Sequence, residues 1–437
     1  MTNNRKRVLS FGAGRMAPGL IEHLQRQSCD VSVADIKADE VDRLVLRFGL
    51  SRESCFVASA DDDLVDVFRN FDVVASLMPS RLHWKVARNC IGARVPLITP
   101  SYPDARMSAL DDEAREAQVT LLNEMGLDPG IDHAKAVQIV DWVHWQGGRV
   151  VSLSSYCGGL PAPENSDNPL RFKLSWSPEV IVGVATKPAA YRDAGRTVEI
   201  TEDAIFSEPK EIWIDGFDEP FEGFPNRNSI PYISHYGLGD DTPETFIRGT
   251  LRYPGWSAFW RGLRNLGWPR DYLPGDLDVA SRRLGISRDD SRFQPFEVLG
   301  APLKRPYDDP VEQLVGLLDA TPALHFSPGE RDMVVMVIQC DYQLPGGEHR
   351  RKQSILQLYG EPERTHDPSD PADHGNVRAL ARTTGATMSI GTEALASGSL
   401  YSPGLMPGPV DPRFADLLCE RLADEGIAFE DSDRQLA

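Results

Sequence analysis

The sequence predicts an α/β protein that begins with a doubly wound parallel sheet. Three observations predict this class. The chain has 437 residues, which is enough for two or three domains. Its first 35 residues follow the order strand, glycine-rich turn, helix, strand, and short apolar strands then alternate with amphipathic helices up to about residue 122. We therefore expect parallel strands joined by crossover helices in the N-terminal part.

The first strand–turn–helix–strand unit spans residues 7 to 35 and contains the turn GAGRMAPG. Gly12 permits a tight bend, Gly14 lets a pyrophosphate approach the backbone, and Ala17 lets the helix pack close to the sheet. A purely structural glycine-rich turn is the alternative, but the position between a strand and a helix favours dinucleotide binding. We therefore predict a Rossmann fold in which five turn residues contact the cofactor: Gly12, Gly14, Arg15, Met16 and Ala17.

Asp35 ends the second predicted strand, where its carboxylate can accept hydrogen bonds from the adenosine ribose. A carboxylate there repels a 2′-phosphate, so Asp35 favours NAD over NADP. Lys37, two residues later, weakens this preference. The alternative is that Asp35 caps the following helix. The expected cofactor is therefore NAD or NADP, with NAD favoured by Asp35.

The alternation continues with predicted strands at 72–77, 96–98 and 119–122 and predicted helices at 84–93 and 107–117. Ligands of such sheets bind at the carboxyl ends of the strands. The segments that follow these three strands should therefore form the functional rim. Three rim residues are predicted to contact the cofactor: Leu77, Pro79 and Ser101.

Composition and charge exclude several classes of function. The net charge of −19 disfavours binding to a nucleic-acid backbone. No apolar run is long enough to span a bilayer, and the N-terminal residues lack the pattern of a secretory signal, so a cytoplasmic location is expected. The six cysteines are far apart and form no C-x-x-C pair, which predicts reduced thiols and no metal site.

The segment GLDPGIDH follows the last strand of this alternation. Its glycines and proline predict a bend, and Asp132 is placed to cap a helix over 134–145. Asp128 lies in the bend itself, at the rim where the nicotinamide is expected. His133 is predicted to be helical and structural.

Several segments resemble the glutamate-forming saccharopine dehydrogenases, also called saccharopine reductases. The matching segments, spread over most of the chain, are GAGRMAP (12–18), NEMGLDPGIDH (123–133), SYCGGLPAPENSDNPLRFKLSWSP (155–178), FPNRNS (224–229), RGTLRYPGW (248–256) and ERDMVV (330–335). The resemblance implies an NAD(P)-dependent oxidoreductase that condenses glutamate reductively with 2-aminoadipate 6-semialdehyde, or catalyses the reverse reaction. It also implies a homodimer.

The same resemblance implies a domain organisation. The Rossmann domain should comprise residues 1–125 and 376–437, because the C-terminus returns to it. An α+β mixed-sheet domain for substrate binding and dimerisation should comprise 126–245 and 330–375, with a small helical insertion at 246–329. The order of predicted strands and helices agrees with this division.

A substrate with three carboxylates requires fixed cationic donors, and arginine grips a carboxylate through two parallel hydrogen bonds. Arg227 and Arg248 are the predicted substrate-binding arginines, and Arg252 is a weaker candidate. In similar family sequences the arginine at the position of Arg227 binds a substrate carboxylate. A structural salt bridge is the alternative for each.

The remaining predicted pocket residues are Ser101, Tyr102, Cys157 and Asp128. Asp128 is the best candidate for polar assistance in catalysis, because no dedicated general base is evident. Cys157 is interpreted as a pocket wall rather than a nucleophile, since hydride transfer needs no nucleophile. The segment 155–178 is expected to be a long loop at the site, in which a glycine pair lets the backbone approach a ligand.

Four segments depart from the family pattern. They are the turn at 35–37, Asn228 where the motif usually has Asp, the segment 379–381 in place of a usual Ser-Ala-Met-Ala, and the Pro- and Gly-rich stretch 401–412. These departures leave open a related opine or carboxylated-polyamine imine reductase. A non-catalytic Rossmann protein is a further alternative, although Gly14 and Arg227 are both present.

Overall fold

A computed structural model describes residues 5–300, 307–361 and 376–436. The chain forms two compact units. The first domain comprises residues 1–141 and 360–429, and the second domain comprises residues 142–359 and 430–437.

The N-terminal part of the chain alternates strands and helices from residue 7 to residue 145. Its elements are β1 (Arg7–Phe11), α1 (Ala17–Arg26), β2 (Asp30–Asp35), α2 (Ala38–Phe48), β3 (Phe56–Val57), α3 (Val65–Phe68), β4 (Val73–Ser76), α4 (His83–Ala93), β5 (Leu97–Ile98), α5 (Ala105–Ser108), α6 (Asp111–Ala117), β6 (Thr120–Leu122) and α7 (Ile131–Trp145). The predicted strands and helices of this region are confirmed, except that the helix expected at 107–117 is divided into α5 and α6.

The middle and C-terminal parts contain the remaining elements. The middle part has β7 (Arg149–Pro161), α8 (Pro178–Ala185), β8 (Ala189–Asp193), β9 (Arg196–Ile200), β10 (Lys210–Ile212), β11 (Phe221–Pro225), α9 (Pro231–His235), β12 (Thr245–Arg252), α10 (Trp256–Asn265), α11 (Leu277–Leu284), α12 (Gln294–Leu299), α13 (Pro310–Ala320), β13 (Asp332–Gln343) and β14 (His349–Tyr359). The C-terminal part has α14 (Ala379–Ser397), β15 (Gly404–Met406), α15 (Pro412–Asp424) and β16 (Glu430–Gln435).

The described residues of the first domain form a parallel sheet with the strand order β15-β6-β5-β4-β1-β2-β3. Its central strands β1 and β4 are buried apart from Arg7 and mostly apolar, as expected for strands covered on both faces. The strand order reverses between β1 and β4, and ligands of such sheets bind at this crevice. The predicted doubly wound Rossmann sheet is confirmed.

The C-terminal part of the chain returns to this sheet. α14 packs directly on α1, because glycines at the crossing allow the two backbones to touch. A Cβ atom at Gly19 would overlap the carbonyl group of Ala381, and one at Gly385 would overlap the backbone of Gly19. β15 then pairs in parallel with β6, and its Leu405 amide donates a hydrogen bond to Asp111 (2.7 Å).

The second domain is built on a mixed sheet with the order β10-β11-β12-β7-β13-β14-β16, and β8 connects β12 to β9. β7 lies in its centre, parallel to β12 and antiparallel to β13. An aromatic cluster that includes Trp256, Phe259, Trp260 and Trp268 forms the core of the helical part. The predicted mixed-sheet domain with a helical insertion is confirmed as an architecture.

The observed boundaries differ from the predicted ones. β16 was expected in the Rossmann domain, yet it pairs with β14 in the second sheet. The strand EDSDRQ is exposed and polar throughout, so it shows none of the alternation that indicates a strand. Ion pairs and hydrogen bonds hold it instead, because Asp433 accepts from Tyr342 (2.9 Å) and Arg350 (3.1 Å). The helical insertion also begins later than residue 246, since β12 is a central strand.

No helix among residues 5–300, 307–361 and 376–436 combines the length and the apolar character that crossing a bilayer requires. Within the same ranges, no group of three or more histidine, cysteine or acidic side chains is arranged to hold a metal ion.

Candidate active site

The glycine-rich turn between β1 and α1 has two glycines with different surroundings. Gly12 has a φ of +118°, and a Cβ atom there would lie 2.8 Å from the carbonyl carbon of Leu77. Gly14 is exposed, and a Cβ atom there would meet nothing within 4 Å. Gly12 therefore lets two backbone segments touch, whereas Gly14 leaves open the space that a pyrophosphate requires.

The start of α1 suits an anion. Its first turn contains no acidic residue, and the N-cap residue Met16 supplies no side-chain hydrogen bond to the helix. The positive end of the helix dipole therefore meets no carboxylate from its own first turn. Arg15 is exposed in the turn, while Met16 and Ala17 are buried beneath it. These residues fit the diphosphate of a dinucleotide.

Asp35 ends β2 and binds the glycine-rich turn. One carboxylate oxygen accepts a hydrogen bond from the Ala13 amide (2.8 Å) and the other accepts from the Lys37 amide (2.9 Å). The alternative role as a helix cap is wrong, because α2 has Lys37 as its N-cap residue and no side-chain cap. The guanidinium of Arg43 donates to the Ala13 carbonyl (3.0 Å). Nothing in the sequence distinguished Arg43 from the other polar residues of α2.

The rim after β4 and β5 contains a hydrogen-bonded network around His83. Its Nδ1 lies 2.8 Å from Ser76 Oγ, and its Nε2 lies 3.0 Å from both Ser101 Oγ and Thr99 Oγ1. Burial lowers the pKa of His83 to about 4, against a weaker opposing influence of Asp104. Sequence reasoning found Ser101 but missed His83. The available signal was a histidine at the start of the helix that directly follows a rim segment.

Tyr102 and Asp128 lie together at the same rim, as the sequence predicted for a shared site. The Tyr102 hydroxyl donates a hydrogen bond to Asp128 Oδ1 (3.1 Å), and both side chains are half-buried. The turn that carries Asp128 is closed by a hydrogen bond from the Gly126 amide to the Pro129 carbonyl (2.8 Å). A Cβ atom at Gly130 would overlap the Gly126 backbone, so this turn requires glycine there.

The segment that follows this turn corrects one expectation. The helix begins at Ile131, so Asp132 lies within its first turn and does not cap a helix that starts at 134. Its carboxylate accepts from the Gly130 amide (2.7 Å) and thereby holds the turn. The neighbouring His133 is fully buried and lies 2.7 Å from Glu124.

The predicted substrate-binding arginines lie in, or directly after, two adjacent strands of the second domain. Arg227 follows β11 with a φ of +58°, is half-buried, and its carbonyl accepts from the Ala190 amide (3.0 Å). Arg248 lies in β12 with only 1% of its surface exposed, and its guanidinium lies 4.4 Å from the centre of the Tyr232 ring. Arg252 is half-buried, with its guanidinium 5.5 Å from the rings of Phe172 and Trp256. Arg248 thus makes a cation–π contact with Tyr232.

Cys157 is buried in the middle of β7, paired in register with Thr250 and Met336. All six cysteines lie in the described residues, and none forms a disulfide there. The expectation of a long loop from 155 onward is wrong for its first part, because residues 155–161 belong to β7. A Cβ atom at Gly158 would lie 2.8 Å from the Leu251 carbonyl oxygen, so this glycine permits close contact between strands rather than contact with a ligand.

The irregular part of that segment begins after β7 and is held by its own polar groups. The Asn168 side chain donates to the carbonyls of Phe172 (2.7 Å) and Ala323 (3.0 Å). The buried ammonium of Lys173 pairs with Asp167 (3.0 Å). Hydrogen bonds and ion pairs therefore fix a stretch that has no regular secondary structure.

A parallel sheet, an open glycine turn at a helix start and an acidic residue at the end of the second strand together define a dinucleotide-binding protein of the Rossmann class. Family models match almost the entire chain. The model described as the saccharopine dehydrogenase NADP binding domain matches residues 8–122, and the saccharopine dehydrogenase C-terminal domain matches residues 126–427. The chain belongs to the saccharopine dehydrogenase family, which confirms the resemblance found in the sequence.

Curated relatives and a solved structure agree with this assignment. The mitochondrial alpha-aminoadipic semialdehyde synthase of Mus musculus is 31% identical over 98% of this chain, and the chain spans about half (48%) of that longer protein. The saccharopine dehydrogenase [NADP(+), L-glutamate-forming] of Saccharomyces cerevisiae is 30% identical over 96% of this chain and 97% of its own length. The apo histidine-tagged saccharopine dehydrogenase (L-Glu forming) from S. cerevisiae superposes with a TM-score of 0.81 at 28% identity, covering 99% of this chain and all of that one.

The two glycines of the turn should respond differently to substitution. Gly14→Val should weaken binding of reduced nicotinamide cofactor at least tenfold with little change in melting temperature, because its side chain occupies only the space for the diphosphate. Gly12→Ala should lower both the cofactor affinity and the melting temperature, because it strains the backbone and its side chain overlaps Leu77. We expect it to reduce the free energy of unfolding by about 1–3 kcal/mol. Cofactor fluorescence and thermal unfolding measure the two effects. Unchanged cofactor affinity in Gly14→Val would place the dinucleotide elsewhere.

Proposed function

We propose that this protein is an NAD(P)-dependent oxidoreductase acting on a carbon–nitrogen bond. Its reaction is the reductive condensation of glutamate with 2-aminoadipate 6-semialdehyde to saccharopine, or the reverse. The observation that carries this proposal is the end-to-end match with the yeast enzyme named for the NADP(+)-dependent, L-glutamate-forming reaction. The open glycine turn and the Tyr102–Asp128 pair at the sheet rim support it.

A bound nicotinamide cofactor supplies or accepts the hydride. The residues of this chain bind and orient the cofactor and the substrate, and they polarise the reacting groups. Asp128 carries a carboxylate whose position is fixed by Tyr102, so it can hold a substrate ammonium or secondary amine at the rim. Orientation of the bound reactants supplies most of the rate enhancement, which for well-aligned groups reaches roughly 7 to 11 kcal/mol.

Arg227 is the arginine that we assign to a substrate carboxylate. Its backbone has a left-handed conformation in the turn after β11, and its carbonyl accepts a hydrogen bond from the Ala190 amide. The position from which the Arg227 side chain extends is therefore fixed. Arg248 is much more deeply buried and lies over Tyr232, so we assign it a supporting role in the same domain.

The cofactor is NAD or NADP, and the charge of Asp35 favours NAD. Its carboxylate stays beside the glycine turn through the Ala13 and Lys37 amides. The guanidinium of Arg43 lies at the same turn and is paired with Glu40 (2.8 Å), which offsets part of its attraction for a 2′-phosphate. The named yeast relative uses NADP(+).

A related opine or carboxylated-polyamine imine reductase is the second candidate function. It was suggested by four departures from the family pattern, one of which is Asn228 beside Arg227 in place of an aspartate. The Asn228 side-chain oxygen accepts from the Ile230 amide (3.0 Å), a bond that an aspartate would also form. The substitution therefore preserves the turn and changes only the charge beside Arg227.

A homodimer in the cytoplasm completes the proposal, and light scattering and cell fractionation test these two points.

The proposed reaction is tested with purified protein, saccharopine, and NAD or NADP, by following the absorbance of the reduced nicotinamide. We expect turnover with at least one cofactor. Turnover of other N-carboxyalkyl amino acids but not of saccharopine would replace the substrate and keep the reaction class. Absence of cofactor binding would contradict the class itself.

Replacement of Arg227 should impair substrate binding. Arg227→Ala should raise the KM for saccharopine at least tenfold, which corresponds to about 1.4 kcal/mol, because a carboxylate loses its paired donors. The KM of Arg227→Lys should lie between those of the wild type and Arg227→Ala, because lysine keeps the charge but lacks the two parallel donors of the guanidinium. Arg196→Ala, at an exposed position of β9 in the same domain, is the matched control and should leave KM unchanged. An unchanged KM in Arg227→Ala removes this arginine from the site.

Replacement of Asp35 should change the cofactor preference. Asp35→Asn keeps an oxygen that accepts from the Ala13 amide but removes the charge, so the ratio of kcat/KM for NADP to that for NAD should rise about tenfold or more. Asp39→Asn, an exposed acid at the start of α2, is the matched control. If the ratio stays the same in both variants, the Asp35 carboxylate only holds the turn.

A further inference from the structure

We propose that His83 is a positioning residue that fixes the Ser101 hydroxyl as a hydrogen-bond donor toward an oxygen acceptor of the bound ligand. The acceptor is either the carboxamide oxygen of the nicotinamide or a carboxylate of the substrate. This inference deepens the proposed function and rests on it. It concerns a histidine that lies in none of the sequence motifs.

The backbone of Ser101 is fixed independently of its side chain. Its carbonyl accepts from the Glu124 amide (3.2 Å), and its own amide donates to Thr99 Oγ1 (3.3 Å). The remaining freedom of Ser101 is rotation of the side chain. The contact with His83 Nε2 at 3.0 Å selects one rotamer, so His83 decides where the hydroxyl lies.

A count of protons shows which hydroxyl can serve a ligand. Three hydroxyl groups surround the ring, from Ser76, Thr99 and Ser101. Burial lowers the pKa of His83 to about 4, so the ring is neutral near pH 7 and offers one N–H group and one lone pair. We assign the ring proton to Nε2, which then donates to the Ser101 oxygen, while Nδ1 accepts from the Ser76 hydroxyl. The ring therefore does not use the Ser101 proton, which can serve another acceptor.

Ser101 rather than Thr99 is placed to serve a ligand. Thr99 is almost completely buried, and its oxygen already accepts from the Ser101 amide. Ser101 is half-buried at the carboxyl end of the sheet, where its proton can turn to a ligand. A neutral ring is required for this arrangement, because a charged imidazolium would also carry a proton on Nδ1 and could not accept from Ser76.

A buried histidine with only a packing role is the alternative, and the first domain contains one for comparison. His23 in α1 is as buried as His83, and burial likewise lowers its pKa to about 4. Its ring lies 3.6 Å from Glu425, which directly follows α15. Substitutions of His23 therefore measure what loss of a buried imidazole does to this domain in general.

The test uses the full-length protein and a double-mutant cycle. An asparagine amide replaces the Nδ1 side of the ring and a glutamine amide the Nε2 side. His83→Asn should therefore lose the Ser101 contact, whereas His83→Gln should retain it. Two quantities are measured for each variant, namely the Kd for reduced cofactor by fluorescence and the KM for saccharopine.

We expect His83→Asn and Ser101→Ala each to raise the same one of these two constants about tenfold. In the double variant that constant should exceed the value for Ser101→Ala by no more than about threefold. His83→Gln should stay within about threefold of the wild type. An effect on cofactor Kd assigns the acceptor to the nicotinamide, and an effect on KM alone assigns it to the substrate. His23→Asn should lower the melting temperature and leave both constants unchanged.

Additive effects of His83→Asn and Ser101→Ala would overturn the proposal, as would equal losses in His83→Asn and His83→Gln. If His83→Asn does not fold, Ser76→Ala decides, because it removes the partner of Nδ1 and leaves the rim residues in place. Its effect must vanish in the Ser101→Ala background. If the wild type binds cofactor but turns over no saccharopine, the proposed function has failed. The role of His83 is then judged from the cofactor Kd alone, and additive effects of His83→Asn and Ser101→Ala on this Kd would overturn it.

Discussion

The first domain depends on direct contact between two backbone segments, the turn after β1 and the segment after β4. The Leu77 amide donates to the Phe11 carbonyl (2.8 Å), and the missing side chain of Gly12 leaves room for Leu77. This contact brings the end of β4 beside the glycine turn. The rim residues that follow β4 and β5 are thereby placed near the diphosphate position, at the point where the strand order reverses.

Asp35 shows how one side chain can serve structure and selectivity together. Its two oxygens satisfy two backbone amides, so the carboxylate stays in place whether or not a cofactor is bound. The charge that discriminates between cofactors is therefore a fixed part of the turn. Replacement by asparagine removes the charge and keeps one of the two acceptor oxygens, so it also loses one of the two hydrogen bonds to the backbone.

The sequence predicted most of the first domain because buried parallel strands are apolar throughout and the glycine turn has an unusual spacing. It predicted Tyr102 and Asp128 as partners at one site because both follow strands of the same sheet. It did not predict β16, whose acidic residues are held by Arg350 and Tyr342 rather than by apolar packing. It misjudged residues 155–161, because a glycine pair usually indicates a turn, while here Gly158 permits contact between neighbouring strands. His83 escaped notice because its role depends on three hydroxyls that are far apart in the sequence.

The first domain is assembled from two stretches of chain with the bulk of the second domain between them. During synthesis the ribosome makes β1 to β6 early, but α14 and β15 follow only after β14. Until then the face of α1 that will receive α14 and the open edge of β6 have no partner, and contacts so distant in sequence form slowly. Folding of the cofactor-binding domain thus finishes after the second domain's central strands have been made, and a nascent chain exposes an apolar helix face and an unpaired strand edge for chaperones to protect.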